Sequence, residues 1–436
     1  MNCKVMFLGL GVVGQSLMCL LLENNVFSIE DFYVLDLDEK AFEFYLSKGG
    51  RRDNCLSFEV DSSNYLMIFD KMSKGDFLLC MADGNDSLIL AQECYKRGIH
   101  FVSASDDTFD DVEDNEPFRY RNHFKDYKAL MKNSENGATS VLQFGVNPGL
   151  VSVFSKKALK DIVDNDKGNF VSAKRKQFAE LIAAEDYPRL AKELKVRAFV
   201  ESDFDTTESD IIEKNDTVYS TWNVPDFDGE SNDRSIVKVG TIDSLTEILE
   251  KVGISIDNVY YYNKGDGTLV FDLSGKEIKT KSNSGENEFE GSLDAHEEVF
   301  SLYDYYSNRE DEGEIEYAPS VLFVYRPCDL AINSVLHGSN DKYQLITKER
   351  MLSGGEAVGI CVEGDAFTNR YVGTALYLDE SRFETPSVFL VSVSVYAAIK
   401  YIIKHPLEGV LFPEYLPLEE ILSYVSPYLP IISNEY

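Results

Sequence analysis

The chain has 436 residues, with 42 lysines plus arginines against 75 aspartates plus glutamates and a formal net charge of −33. At 44% hydrophobic and 12% aromatic residues it holds enough apolar surface to offset ordering entropy, which excludes a disordered acidic tail. So negative a chain argues against nucleic acid or an anionic membrane surface as partner and suits a cationic ligand.

Its length predicts two or three domains. In chain order, residues 4–8 read as a buried strand, Val12–Glu23 as a helix and 32–36 as a second strand. Residues 40–47 follow as a helix and 56–60 as a strand. A buried strand at 76–81, a helix over 88–98 ended by its glycine, and a strand at His100–Ser103 complete the first third. Strands alternating with helices of this length imply parallel crossovers and a doubly wound sheet, an α/β class. Residues 5–22 imitate a signal peptide, but Gly9, Gly11 and Gly14 break the run and no small-residue cleavage site follows, so strand–turn–helix is the reading. No other segment approaches the roughly 18 uninterrupted apolar residues of a membrane span, and a soluble chain is expected. Seven scattered cysteines without a C-x-x-C pair fit reduced thiols in the cytoplasm and no zinc or other metal site.

Near residue 147 the pattern changes. Asn147 suits a helix N-cap and Pro148 a first helical residue, leading into a helix over 150–161. Beyond 165, strand candidates at 197–201, 259–262, 320–325, 358–362 and 374–378 alternate with acidic stretches at 226–234, 282–288 and 307–316, read as solvated loops. Apolar helices at 387–405, stopped by Pro406, and Leu418–Val425 close the chain. The expected domains are 1–146, a Rossmann-type doubly wound sheet; 147–385, an α+β domain for substrate and dimerisation; and 386–436, C-terminal helices free to return to the first.

Gly9-Leu10-Gly11-Val12-Val13-Gly14 is G-x-G-x-x-G between a strand and a helix. The first glycine permits the tight turn, the second lets a pyrophosphate approach the backbone, and the third lets helix and strand pack. The helix N-terminus offers free N–H groups to the phosphates. Asp36, at the end of the second strand, would accept both ribose hydroxyls and repel a 2′-phosphate, favouring NAD over NADP; Asp38 stands close enough to take that role instead.

Further along, the chain resembles the bacterial homospermidine synthases of the saccharopine dehydrogenase-like group. The resemblance rests on residues 144–152 (FGVNPGLVS), 220–224 (STWNV) with Glu230 after it, 291–298 (GSLDAHEE) and 325–329 (YRPCD). It implies NAD-dependent coupling of two putrescines to homospermidine with release of ammonia, the NADH formed in the first step serving the last. It further implies a cytoplasmic homodimer and a diamine substrate, putrescine or also spermidine. Trp222, the single tryptophan, takes a cation–π role beside a developing iminium. His296 handles protons and Glu298 pairs with an ammonium; they share a face if extended and diverge on a helix. Asn147 offers a carbonyl to an amine, or is a plain cap. Asp86 and Asp107, with Glu201 and Glu230, are the substrate-binding acids, Asp86 doubling as a possible helix cap and Glu201 having Asp203 and Asp205 as close alternatives. Cofactor contacts fall to Gly9, Gly11, Val12, Val13, Gly14, Asp36, Ala82, Ser103, Ser105, Asn147 and Pro148. Arg326 stands where the family pattern has His, and an inward-pointing cation there would oppose a diamine. Two other readings use the same residues: a carboxynorspermidine or saccharopine dehydrogenase, which should gather Arg or Lys around a carboxylated substrate, and a protein that binds NAD and polyamine without turnover.

Overall fold

A computed structural model describes residues 3–109, 118–165, 168, 170–309, 313–337 and 342–436. Contacts divide the chain into two units, one of Met1–Leu150, Arg382–Glu384 and Val388–Tyr428, the other of Val151–Ser381, Thr385–Ser387 and Leu429–Tyr436.

In the first unit, Val5–Leu8, Phe32–Leu35, Phe77–Cys80 and His100–Ser103 are short apolar runs buried almost throughout, as strands covered on both faces must be. All ladders in this sheet are parallel, in the order Val410–Leu411, Ser140–Val141, His100–Ser103, Phe77–Cys80, Val5–Leu8, Phe32–Leu35, Cys55–Leu56. The chain runs from the centre to one edge and then to the other, which is the doubly wound order. Helices Val12–Glu23, Glu39–Ser47 and Ser87–Arg97 cross between strands, the third stopped by Gly98 at φ 69°. The strand expected at 56–60 shortens to Cys55–Leu56. Arg119–Asn133 is a helix that the sequence reading lacked, because its largely charged surface buries only Tyr120 and Tyr127.

Two further expectations change in this unit. The Asn147–Pro148 peptide is cis and Gly149 sits at φ 132°, so the chain folds back, with Leu150 N–H on the Gly145 carbonyl at 3.1 Å. The helix Leu150–Asp164 begins only after this turn, so Asn147 is not its cap and Pro148 is not its first residue. Contrary to the expected lack of any span-length apolar segment, Pro386–Lys404 is long and apolar enough to cross a membrane, yet 83% of its most apolar window is buried within the fold. Its Ser392 hydroxyl reaches the Val13 carbonyl at 3.3 Å, behind the glycine turn.

The second unit is built on a sheet in the order Val259–Asn263, Thr268–Ser274, Arg234–Lys238, Ser320–Arg326, Val196–Asp205, Gly355–Gly364, Arg370–Tyr377, Ile432–Glu435, with the hairpin Lys279–Asn283 and Glu288–Asp294 joined to Ser320–Arg326. One face packs an apolar core of Val200, Val324, Cys361, Tyr371 and their neighbours. Side chains alternate along a strand, so Glu201, Asp203 and Asp205 turn to the opposite face. Acidity at 226–234 does not mark a solvated loop: Val224–Asn232 is a helix capped by Asn223, with Phe227, Asp228 and Ser231 buried, and it runs directly into the strand Arg234–Lys238. Residues 282–288 span a hairpin turn with both ends in strands. Part of 307–316 lies outside the described residues, and the rest forms the ladder of Asn308–Arg309 with Ile315–Tyr317.

Candidate functional site

In the first unit, Gly9 holds φ 85°, and a Cβ there would meet Ala82 Cβ at 2.4 Å, so the strand-to-helix turn requires glycine. A Cβ on Gly14 would approach the Gly9 carbonyl at 3.0 Å, whereas nothing lies within 4 Å of one on Gly11. The second glycine therefore keeps space open outside the turn, and the helix behind it starts without a side-chain cap, leaving first-turn N–H groups for an anion. Val12 and Val13 open that helix, half-buried. Asp36 accepts from Leu10 N–H at 2.7 Å and from Asp38 N–H at 2.8 Å, which pins its carboxylate at the mouth of the turn with lone pairs to spare. Asp38 caps the next helix through Lys40 N–H, which leaves Asp36 as the ribose candidate. These residues fit a dinucleotide.

The other first-unit candidates are held by the protein itself. Ser103 is fully buried and its hydroxyl accepts from Gln143 N–H at 3.2 Å. Ser105 donates to Asp107 at 3.0 Å. Ala82 accepts at its carbonyl from Asn85. Asp86 caps the helix Ser87–Arg97 through Ile89 N–H at 2.8 Å, and burial raises its pKa. Close by in the chain, Asp106 takes the Tyr127 hydroxyl at 2.7 Å and His123 at 3.3 Å, a grouping missing from the sequence expectations because it needs the unexpected helix Arg119–Asn133, which carries both partners four residues apart.

The second unit gathers acids. Phe323 pairs with Glu201 and Tyr325 with Asp203 in parallel register, Asp294 pairs with Phe323, and Glu356 pairs with Asp205. The residues from these four strands share a face, and Glu201, Asp203, Asp205, Asp294, Glu297, Glu298 and Glu356 are all buried. His296 and Glu298 stand at the junction between the strand Glu288–Asp294 and the helix Glu298–Tyr306, neither both extended nor both helical. Here they converge with Glu201: one donor atom from each of the three lies within 4.8 Å of the others. His296 Nδ1 is 3.4 Å from Glu201, its Nε2 3.9 Å from Glu297, and its ring packs on Phe323 at 4.5 Å between centroids. Glu298, in the first turn of its helix, accepts from Ser152 N–H at 3.1 Å and from the Ser152 hydroxyl. The last residue of the N-P-G-L-V-S segment thus anchors this acid.

Electrostatics follow from burial. Desolvation raises Glu201 and Asp205, raises Asp294 to about 7, and lifts Glu356 well above the ordinary range. Glu230 is half-buried as a residue, and burial of its carboxyl raises it well above the usual value too. For His296, burial alone would lower the pKa; the carboxylates of Glu297, Glu201 and Glu230 outweigh burial and raise it to about 10. The ring therefore holds its proton at neutral pH. Three donors at this spacing could surround a metal ion once the imidazole gave up its proton; with the ring protonated, the acids around it outnumber its single charge. Buried acids in this number attract a cation, since an uncompensated buried charge is very costly.

Trp222 is half-buried between the strand Thr217–Ser220 and the helix that carries Glu230, and its Nε1 donates to the Tyr325 hydroxyl at 3.2 Å. Its neighbour Thr221 donates to Asp205 at 2.8 Å, tying the tryptophan loop to the acidic face. Arg326 bonds Asp329 and the Pro327 carbonyl, which takes up its charge locally. The structure thus brings together Glu201, His296 and Glu298, with Glu230 close enough to act on the His296 charge; Trp222 lies in the same unit against Tyr325, while Asn147, Asp86 and Asp107 belong to the first. Ser152, Asp294, Glu297, Glu356 and Tyr325 were missed as site residues. Ser152 and Tyr325 lay inside quoted motifs, and Asp203 and Asp205 follow Glu201 at a two-residue period, a signal that the reading could have used.

Residues 5–141 match the family described as Saccharopine dehydrogenase NADP binding domain. Two curated relatives are each named homospermidine synthase. The one from Blastochloris viridis is 24% identical over 71% of this chain, and the match spans 63% of that relative's length. The one from Mesorhizobium japonicum is 22% identical over 99% of this chain and 90% of its own. Among solved structures, the homospermidine synthase from Legionella pneumophila in complex with NAD superposes with a TM-score of 0.84 at 20% identity, covering 100% of this chain and 92% of that one. The α/β architecture of the present chain is thus that of a known enzyme fold.

Proposed function

We propose that this protein is a homospermidine synthase, an NAD-dependent enzyme that joins two putrescines through an imine and releases ammonia. The convergence of Glu201, His296 and Glu298 on a buried acidic face carries the reading, because such a face suits the cationic nitrogen of a diamine. The names of the relatives and the dinucleotide turn support it.

Bound NAD would supply a hydride acceptor for the first step and, once reduced, the donor for the last. Gly9, Gly11 and Gly14 would seat its pyrophosphate, and Asp36 its ribose, with the negative charge of Asp36 set against the 2′-phosphate of NADP. Glu201 and Glu298 hold the ammonium of the first putrescine. Hydride loss needs the free amine, and buried acids with raised pKa, Asp294 near 7 among them, are bases strong enough to take its proton. Positive charge then builds at the carbon, where the face of Trp222 and the fixed carboxylates stabilise it. Attack by the second putrescine amine expels ammonia, and return of the hydride gives the triamine without net redox. A carboxylated substrate would instead need a cation not already matched by acids: the His296 imidazolium is outnumbered by Glu201, Glu297 and Glu230, and Arg326 is bonded to Asp329. The same proposal includes a homodimer in a reducing cytoplasm, to which seven free cysteines are suited.

The deciding assay is incubation of protein with NAD and isotopically labelled putrescine, followed by mass spectrometry. Homospermidine and ammonia over many turnovers per NAD, without accumulated NADH, is the expected result. Stoichiometric NADH without triamine would mean a simple dehydrogenase, and binding without either product a non-catalytic polyamine-binding protein.

A further inference from the structure

We propose that Lys279 is a specificity-determining residue, whose ammonium closes one border of the acidic face and repels a third nitrogen, so that diamines bind in preference to triamines. The inference rests on the amine reading above and adds the length of amine that the face admits.

Cross-strand register supplies the first argument. Lys279 pairs with Ser292, Ser292 with Tyr325 and Tyr325 with Asp203, in one row across the strands Lys279–Asn283, Glu288–Asp294, Ser320–Arg326 and Val196–Asp205. Residues paired across strands stand on the same side of a sheet. Lys279 therefore faces the acids, opposite the apolar core into which its neighbour Ile278 and the adjacent Leu293 turn. The next row holds Asp294, Phe323 and Glu201. Of the charged residues in these two rows, Asp294, Glu201 and Asp203 are acids and Lys279 is the cation.

The residue is exposed on the outer strand of its hairpin, yet its side chain lies along the face: the ammonium donates to the Ser292 hydroxyl at 3.0 Å. Burial of that ammonium lowers its pKa, Asp294 and Glu290 attract it, and Arg326 repels it. Distance decides which amine meets it. From Glu201 to Ser292 the register crosses two strand spacings of about 4.8 Å and one two-residue repeat of about 6.6 Å, a diagonal of about 12 Å. Each bond of an extended amine advances about 1.25 Å, so five bonds part the nitrogens of putrescine by about 6 Å and nine bonds part the outer nitrogens of spermidine by about 11 Å. A diamine anchored at Glu201 thus ends halfway across the face. Spermidine laid along the same diagonal brings its last ammonium to Lys279, where two like charges meet out of bulk water. An element that opposes the wrong ligand confers selectivity as effectively as one that attracts the right one.

The test is calorimetric titration of NADH-loaded protein, in which amines have no hydride acceptor, with putrescine, spermidine and N-butylputrescine. The last has the length of spermidine, with a methyl group in place of the third nitrogen. Wild-type protein should bind spermidine at least tenfold more weakly than N-butylputrescine. Lys279→Met should shrink that gap at least fivefold, and Lys279→Arg, which keeps the charge, should hold it within twofold of wild type. Because the readout is a ratio within one protein, a change at Asp294 that alters both long amines alike cancels, and a lysine that only supports the hairpin would leave the ratio unmoved. Equal affinity of wild-type protein for the two long amines rejects the inference without any variant, and so does an undiminished gap in folded Lys279→Met protein. Protein that binds none of the three amines overturns the amine reading and this inference together. Protein that binds putrescine but shows no gap loses the role of Lys279 alone.

Discussion

His296 concentrates the electrostatic logic of the acidic face in one ring. Its folded pKa of about 10 stands above the ordinary 6.5, so between those values the folded protein binds a proton that the unfolded chain does not. That stabilisation is fully present below pH 6.5 and is lost as pH rises to about 10. Melting temperature should therefore fall over this window in wild-type protein and fall less in His296→Gln; a parallel decline in both would place the linkage elsewhere. Trp222 tests a different property. A cation over an indole face gains about 0.5 to 2 kcal/mol, so Trp222→Ala should lower kcat by roughly 2- to 30-fold while NAD affinity stays within about twofold. Comparable losses in turnover and cofactor binding would mark a tryptophan that only supports the fold.

At the level of elements, the glycine turn separates a folding requirement from a binding requirement. Gly9 combines φ 85° with a 2.4 Å approach to Ala82, so Gly9→Ala should destabilise the protein by about 2 kcal/mol or more. Gly11 meets nothing within 4 Å. Gly11→Ala should thus lose only the helix-cap difference, about 1 kcal/mol or less, yet weaken NAD at least tenfold by filling the approach. Thermal melts with parallel cofactor titrations distinguish the two. A Gly11→Ala protein with wild-type NAD affinity would remove the pyrophosphate from this turn. The helix Val224–Asn232 carries another lesson. Its acidity imitates a solvated loop, but Asn223 caps it, Asp226 favours its positive end, and Phe227 buries.

Over the whole molecule, a charge of −33 would draw the proposed diamine dication toward the protein from a distance. Such attraction is screened over about 10 Å at 0.1 M salt, whereas contacts with buried carboxyls are screened much less. Raising sodium chloride from about 20 to about 200 mM should accordingly raise the putrescine KM several-fold and leave kcat within about twofold. A salt-independent KM would show that only the buried acids govern capture.

Features of short range were legible in the residues themselves. The strand–turn–helix around Gly9, Gly11 and Gly14, the position of Asp36 beside that turn, the strand at Ser320–Arg326 and the helix Leu418–Val425 all follow from periodicity, caps and glycine, which act within a few residues. The role of Ser152 did not, because its partner Glu298 lies 146 residues away. Nor could the sequence tell a solvated acid from a buried one: Asp203, Asp205 and Asp294 have the composition of a surface loop until four strands turn them to one face. The cis turn at Asn147–Pro148 likewise displaced a sound local rule for helix starts. Local pattern determined the nucleotide turn and most elements, because backbone preference is a short-range property; the acidic face was decided by tertiary structure, because burial and charge coupling depend on neighbours that only the folded register supplies.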